Sequence, residues 1–286
     1  MDQPIDPGIS PGPTTQGTLA DHFEGIHRER MATALDRIRR GKPRYLELVD
    51  FMIYGMMRIK NEARWIHQVL TSIAEACKKI IILDDHSTDN TVDICRNFPN
   101  AIVLETPFKS LDETRDKNFL LTKMERIANP NDYILAIDGD EEAEPGSQEE
   151  IRNLAQAGRD DAYRFQILYL WDTPNQVRVD GVYSDFRRAS MFKLKLGARF
   201  GSVNGGGFHC GNTAGARTIA DCTVRLRHYG YMNKEDRIRK YEWYNAKDKW
   251  PIPPIEDGYR HMVIGDLLPA KTKTKWAGPL TLKPIS

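Results

Sequence analysis

Between Phe51 and Ile137, short β-branched runs alternate with amphipathic segments, and two of the runs stop on acidic turns. The runs are Phe51 to Ile59, Lys79 to Leu83, Ala101 to Leu104 and Tyr133 to Ile137. Between them, apolar residues recur at helical spacing: Ile66, Val69, Leu70 and Ile73, with Asn61 placed as a cap; then Val92, Ile94, Cys95 and Phe98; then Phe119, Leu120, Met124 and Ile127 within Asp112 to Ala128. Such alternation predicts an α/β fold, a central and mostly parallel sheet with right-handed crossovers and flanking helices. The second run leads into Asp84-Asp85-His86-Ser87-Thr88-Asp89 and the fourth into Asp138-Gly139-Asp140-Glu141-Glu142. Acids then sit at the carboxyl ends of strands, where open α/β sheets take ligands. Carboxylates on a tight turn suit Mg2+ or Mn2+ that also holds a phosphate; the plainer reading is a solvated acidic turn. Two such strand ends favour the first, because neighbouring carboxylates repel unless a cation or a donor-rich ligand lies between them.

The second half reads differently. Ser147 and Glu150 form a capping box ahead of Ile151 and Leu154. Ala162 to Leu170 alternates, and Val177 to Val179, Met191 to Leu196 and Thr223 to His228 are further strands without long helices between them. A mixed or antiparallel extension of the sheet follows. Gly201 to Gly215 holds six glycines, which suits close backbone approach to a ligand or a moving lid. Lys234 to Lys247 reads as a helix bearing Arg237, Arg239, Lys240, Trp243 and Tyr244. The chain divides into 1–50, an arm and an amphipathic helix over Leu19 to Arg40; 51–146; 147–250; and 251–286, a Pro-rich tail with Lys271, Lys273 and Lys275.

A net charge of +1 over 286 residues gives no global attraction for nucleic acid or acidic membranes, and only the basic tail leaves nucleic acid open. The apolar runs are strand-length, so no signal peptide or membrane span is expected and the location expected is cytoplasmic. Cys77, Cys95, Cys210 and Cys222 match no zinc spacing and read as reduced thiols, the first two in the core. A dinucleotide-binding oxidoreductase needs a Gly-x-Gly-x-x-Gly turn after the first strand, and Arg58 to Arg64 has no glycine.

The ordered set Arg58-Ile59-Lys60-Asn61-Glu62, Asp84 to Asp89, Arg115-Asp116 and Ile137 to Glu142 resembles the family 2 glycosyltransferases of GT-A fold. Within them it is similar to a bacterial branch whose first strand ends in Lys-Asn-Glu. The resemblance is strongest over Phe51 to Glu142 and extends more weakly to about Trp250. It implies a nucleotide-diphosphate sugar donor, UDP favoured, an acceptor hydroxyl of unspecified kind, and Mn2+ or Mg2+. Residues 51–146 would bind the donor and 147–250 face the acceptor. By the same resemblance Asp140 ligates the metal, Asp138 contacts the ribose or helps the ion indirectly, Asp85 accepts from the nucleobase, Arg115 lies near the nucleotide and diphosphate, and the backbone at Met57 and Arg58 lines the base pocket. Asp116 stands where the family more often has Asn. His228 resembles a late metal ligand. The family segment ending in His-Glu matches Phe208-His209-Cys210, so the expected base is replaced by a thiol, and His209, Asp180 or Asp185 is left to take the acceptor's proton. The Lys234–Lys247 helix supplies Arg237 or Lys240 to the diphosphate, or is simply solvated. Transfer is expected to invert by direct displacement. The alternatives are a non-catalytic nucleotide-sugar or glycan-binding protein of the same fold, and a nucleotidyltransferase, whose Gly-rich basic loop is missing after the first strand.

Overall fold

Strand β1 (Ile53–Ile59) is buried over almost its whole length, as a run of apolar residues demands when both faces are covered. It pairs in parallel with β2 (Lys79–Asp84) on one side and with β4 (Tyr133–Ala136) on the other. β3 (Ala101–Glu105) extends β2, again in parallel. The helices that return the chain are α1 (Ile66–Ile73), α2 (Thr91–Arg96) and α3 (Glu113–Met124). α1 buries Ile66, Val69, Leu70 and Ile73, the four residues its periodicity selects. Asp112 caps α3 through the Arg115 amide at 2.9 Å. The structure, a computed structural model, describes residues 51–203, 209–247 and 258–285.

Beyond β4 the sheet turns antiparallel. β8 (Arg187–Lys193) pairs with β4, β6 (Ala162–Trp171) with β8, β7 (Thr173–Arg178) with β6, and β10 (Leu282–Pro284) with β7. The order is therefore β10-β7-β6-β8-β4-β1-β2-β3. A short strand, β5 (Glu141–Ala143), follows the acidic turn and pairs with β9 (Ile219–His228), which also runs parallel to β6. α4 (Ser147–Ala157) packs Ile151 and Ala155 into the same core as β1, β2 and β4. α5 (Lys234–Lys247) closes the second half. Cys77 and Cys95 lie in this core. The result is an α/β sheet with a parallel first half and a mainly antiparallel second half.

Several local expectations change. Asn61 does not cap α1, which begins at Ile66 without a side-chain cap. It adopts a positive φ of 56° and its Oδ1 accepts from the Thr88 amide at 2.8 Å, stitching the loop after β1 to the loop after β2. Ser147 is not a cap either: Gly146 occupies that place in a left-handed conformation, and Glu150 accepts instead from Thr223 of β9. The tail is not wholly irregular, since Leu282–Pro284 completes the sheet edge. The Leu19 to Arg40 helix and the run Gly205 to Gly207, on which the lid expectation centres, lie outside the described residues.

Candidate active site

The carboxyl ends of β1 and β4 open into one cavity of about 300 Å3. β1 contributes Met56, Met57 and Arg58, and the end of β4 contributes Ile137 and Asp138. Glu113 and Lys117 of α3 form one wall, Arg188 of β8 another, and His209, Trp243 and Tyr244 close the far side. The parallel topology alone brings Arg58 and Asp138 together; the other walls come from segments remote in sequence.

Asp138 is half exposed on this cavity, and Arg188 donates to it at 3.0 Å. Crowding in the cleft pushes its pKa up, but the Arg188 guanidinium and the Lys117 ammonium outweigh this and hold it below the usual carboxylate range. Arg188 also binds Glu141, which is 1% exposed and accepts a second role by taking the Asp138 amide at 2.9 Å. Burial drives the Glu141 pKa up to about 7 against the pull of Arg188. Gly139 between the two acids is required by space: a Cβ there would stand 2.9 Å from Ile59 Cγ2.

Asp140 is not among the cavity-lining residues and belongs to a second cluster. Its Oδ2 accepts from Lys240 at 3.2 Å, and its Oδ1 lies 3.9 Å from His228 Nε2. Burial raises the Asp140 pKa, yet Lys240 and His228 pull it down to about 2. Burial pushes the His228 pKa down and outweighs the opposing pull of Asp140. Glu62, from the loop after β1, is pushed up to about 8 by burial and by Asp140. An ionised carboxylate beside a neutral imidazole is the donor chemistry a divalent cation takes. Asp140 and His228 thus fit Mn2+ or Mg2+ as a pair. Among the described residues no three His, Cys, Asp or Glu side chains are placed to hold a metal ion together, so a cation here would need its other ligands from a bound anion and water.

On the β2 side, the two acids separate their tasks. Asp84 is 4% exposed and accepts from the Ser87 amide, shaping the loop. Asp85 accepts from Arg58 at 2.7 Å and from Lys60 at 3.3 Å. Arg58 donates through Nε to Asp116 at 2.9 Å, and Arg115 binds the other oxygen of Asp116 at 2.7 Å while stacking on Phe108. A chain of alternating charge, Asp85–Arg58–Asp116–Arg115, therefore runs from the cavity along the strand ends. Arg58 links Asp85 to the cavity: it donates to Asp85 and lines the cavity together with Asp138, while Asp85 itself is not among the lining residues.

His209 lines the cavity and lies 3.0 Å from the Tyr259 hydroxyl. Cys210 beside it is buried, which pushes its thiol up to about 11 despite Lys117. Asp180 and Arg237 stand elsewhere. Asp180 is 8% exposed, binds Arg178 through both oxygens at 2.9 Å and accepts from the Thr281 amide, so its lone pairs are spent on structure. Arg237 is 1% exposed and bound to Asp266, Asp172 and the carbonyls of Tyr231 and Met232, which removes it from a donor-binding role. Asp185 is exposed, pairs with Arg187 and is not among the cavity lining. Sequence reading passes over Lys117, Arg188 and Glu113. Their charge gives no signal on its own, because only tertiary packing turns them inward.

Residues 56–223 match the profile of glycosyl transferase family 2, more than half of the chain, and the chain belongs to that family. An uncharacterized glycosyltransferase of Rickettsia bellii is 27% identical over 161 residues, 55% of this chain and 51% of that protein. One from Rickettsia prowazekii is 30% identical over 115 residues, 39% and 37% respectively. The chain spans about half the length of the first of these relatives and less of the second. Among solved structures, S. aureus TarS 1-349 in complex with UDP-GlcNAc superposes with a TM-score of 0.43 at 14% identity, covering 76% of this chain and 71% of that one. Superposition at that level carries no residue role across. Among the described residues no helix is long and apolar enough to cross a membrane.

Proposed function

We propose that the chain transfers a sugar from a nucleotide-diphosphate donor, with UDP the first choice, to an acceptor hydroxyl. The observation that carries this reading is the single cavity at the β1 and β4 ends, where Arg58, Lys117 and Arg188 gather around Asp138 next to the Asp140–His228 pair. Departure of a nucleoside diphosphate leaves negative charge that must be met by fixed positive charge. When bound, Mn2+ or Mg2+ supplies that charge as a Lewis acid. Asp140 and His228 are the residues that hold it. Asp138 meets the ribose, Asp85 the nucleobase edge, with Arg58 and Met57 beside it, and Arg115 braces Arg58 through Asp116.

In the transfer, the acceptor oxygen attacks the anomeric carbon, the bond from that carbon to the diphosphate oxygen breaks, and the acceptor proton passes to a base. We assign the base to His209, which Tyr259 orients at the cavity wall. Attack from the side opposite the leaving group gives inversion. The thiol at position 210 favours one second reading, a sugar-nucleotide-binding protein without catalysis, because a thiol raised to about 11 is no base.

Incubating the chain with UDP-sugars, Mn2+ and mixed acceptors separates the readings. A glycosyltransferase releases UDP, a nucleotidyltransferase releases pyrophosphate, and a binding protein releases neither. Asp140→Asn is expected to abolish UDP release while leaving the circular dichroism spectrum unchanged. Retained release in that variant would remove Asp140 from the reaction.

A further inference from the structure

Two cations three residues apart on α5 are held in opposite ways. Arg237 is fixed by two carboxylates and two carbonyls and stacks on Trp171, which anchors the helix. Lys240, one turn on, makes one hydrogen bond among the described residues, at 3.2 Å to Asp140 Oδ2, and lies 5.1 Å from the centre of the Tyr231 ring. Its side chain keeps a quarter of its surface exposed, whereas that of Asp140 keeps 9%. Gly230 leaves room for the pair, since a Cβ there would stand 2.2 Å from both Lys240 Nζ and Asp140 Oδ2. The second Asp140 oxygen faces His228 Nε2, and His228 Nδ1 is buried without a hydrogen-bond partner among the described residues. One carboxylate is therefore shared between an ammonium and the imidazole of the pair assigned to the metal.

We propose that Lys240 is the resident partner of Asp140 and changes partners when the donor binds, passing its ammonium to the diphosphate and leaving Asp140 to the divalent cation. This rests on reading the site as one for a nucleotide diphosphate. A buried carboxylate needs a partner before any ligand arrives. Lysine suits a partner that must leave, being a compact charge on a flexible four-carbon stem, where arginine's fork fixes it in place. Because α5 is anchored by Arg237, the ammonium can swing while the helix stays. An ammonium and a divalent cation next to one carboxylate repel each other. Cation binding is then weak until a diphosphate draws the ammonium off, and the two ligands bind cooperatively.

Mn2+ binding to the full chain, read from the free-ion signal in electron paramagnetic resonance, tests this, with UDP binding followed by calorimetry in EDTA and in Mn2+. Lys240→Met keeps the length of the stem and removes the charge; its melting curve reports whether it folds, and Lys240→Gln serves if it does not. The expected result is Mn2+ binding without nucleotide that is about ten-fold tighter in Lys240→Met than in the parent chain, and UDP binding in EDTA that is about ten-fold weaker. Wild-type binding of UDP with Mn2+, combined with a variant that shifts neither affinity, would overturn the role of Lys240 alone. Failure of UDP to bind the parent chain under either condition would overturn the reading of the site and this role with it.

Discussion

Gly230 and Asp116 show how single residues set the charge geometry. A side chain at 230 has nowhere to go: its Cβ would press on Asp140 Oδ2, on Lys240 Nζ and, at 2.7 Å, on His228 Cε1. All three belong to the cluster assigned to the metal and the diphosphate. Gly230→Ala is expected to lower the turnover number by about 100-fold, the scale of a misplaced catalytic group, with little change in melting temperature. Steady-state kinetics beside a thermal melt checks both halves. Asp116 is 2% exposed and lies between two guanidiniums, Arg58 at 2.9 Å and Arg115 at 2.7 Å. Removing one member of a buried ion-pair network leaves the others uncompensated and costs about 3 kcal/mol. Asp116→Ala should shift the urea midpoint down accordingly, and UDP affinity should fall with it because Arg58 loses its brace. Asp116→Asn keeps the shape but only one of the two acceptor oxygens and no charge, and should recover only part of the stability.

At the scale of elements, α5 positions the second half of the site, and it is held by a contact that its sequence does not advertise. The helix is charged around most of its surface, and among its described side chains only Asp236 and Arg237 are buried. Its hold on the fold is therefore ionic: Arg237 to Asp266 and Asp172, and Asp236 to Arg64 of the loop after β1. Arg237→Ala strands Asp266, which is itself 6% exposed, and is expected to destabilise the chain by about 3–5 kcal/mol. Hydrogen exchange should show the loss first in α5. Exchange unchanged there would mean that the helix is held by something else. The same element marks where sequence reading works and where it stops. The strands β1 to β4 and the face of α1 are legible because apolar spacing records which side meets the core, whereas on α3 Leu120 and Met124 are buried as expected but Leu121 takes the place assigned to Phe119. The acids at the strand ends are legible because the turn follows directly on a buried strand. Arg237 and Lys240 have the same chemistry in the sequence, and only the fold assigns one to Asp266 and the other to Asp140. Ser147 and Asn61 mislead for a related reason: each has the chemistry of a cap, yet a glycine and a neighbouring loop supply better local geometry.

Across the whole molecule, the last described segment ties the two halves of the sheet's far edge. β10 adds Leu282–Pro284 to β7, and the Thr281 amide donates to Asp180, one partner of the buried Arg178 pair. Ala277 is buried with Tyr183 and Ile264, and the Trp276 carbonyl accepts from the Val182 amide at 2.8 Å. Asp266, which anchors α5, precedes these contacts in the chain, and its neighbours Ile264 and Gly265 pack against Ala277 and Leu280 of the tail. Deleting residues 276–286 removes the cover of β7 and the brace on Asp180, and it also strips the packing beside Asp266, the partner of Arg237. The lost hydrogen bonds and apolar contacts amount to about 3 kcal/mol, or about 10 °C in a chain of this size. Such a truncated chain should melt lower by that amount and associate through the exposed β7 edge, visible as a larger species by light scattering. UDP affinity measured below the melting transition should stay within a few-fold of the parent, because the β1, β2 and β4 ends and the Asp140–Lys240 cluster lie away from the deleted strand. A truncated chain that melts unchanged would mean that β10 covers the edge without supporting it, and one that melts lower and also loses UDP would place the tail's support at the donor site itself.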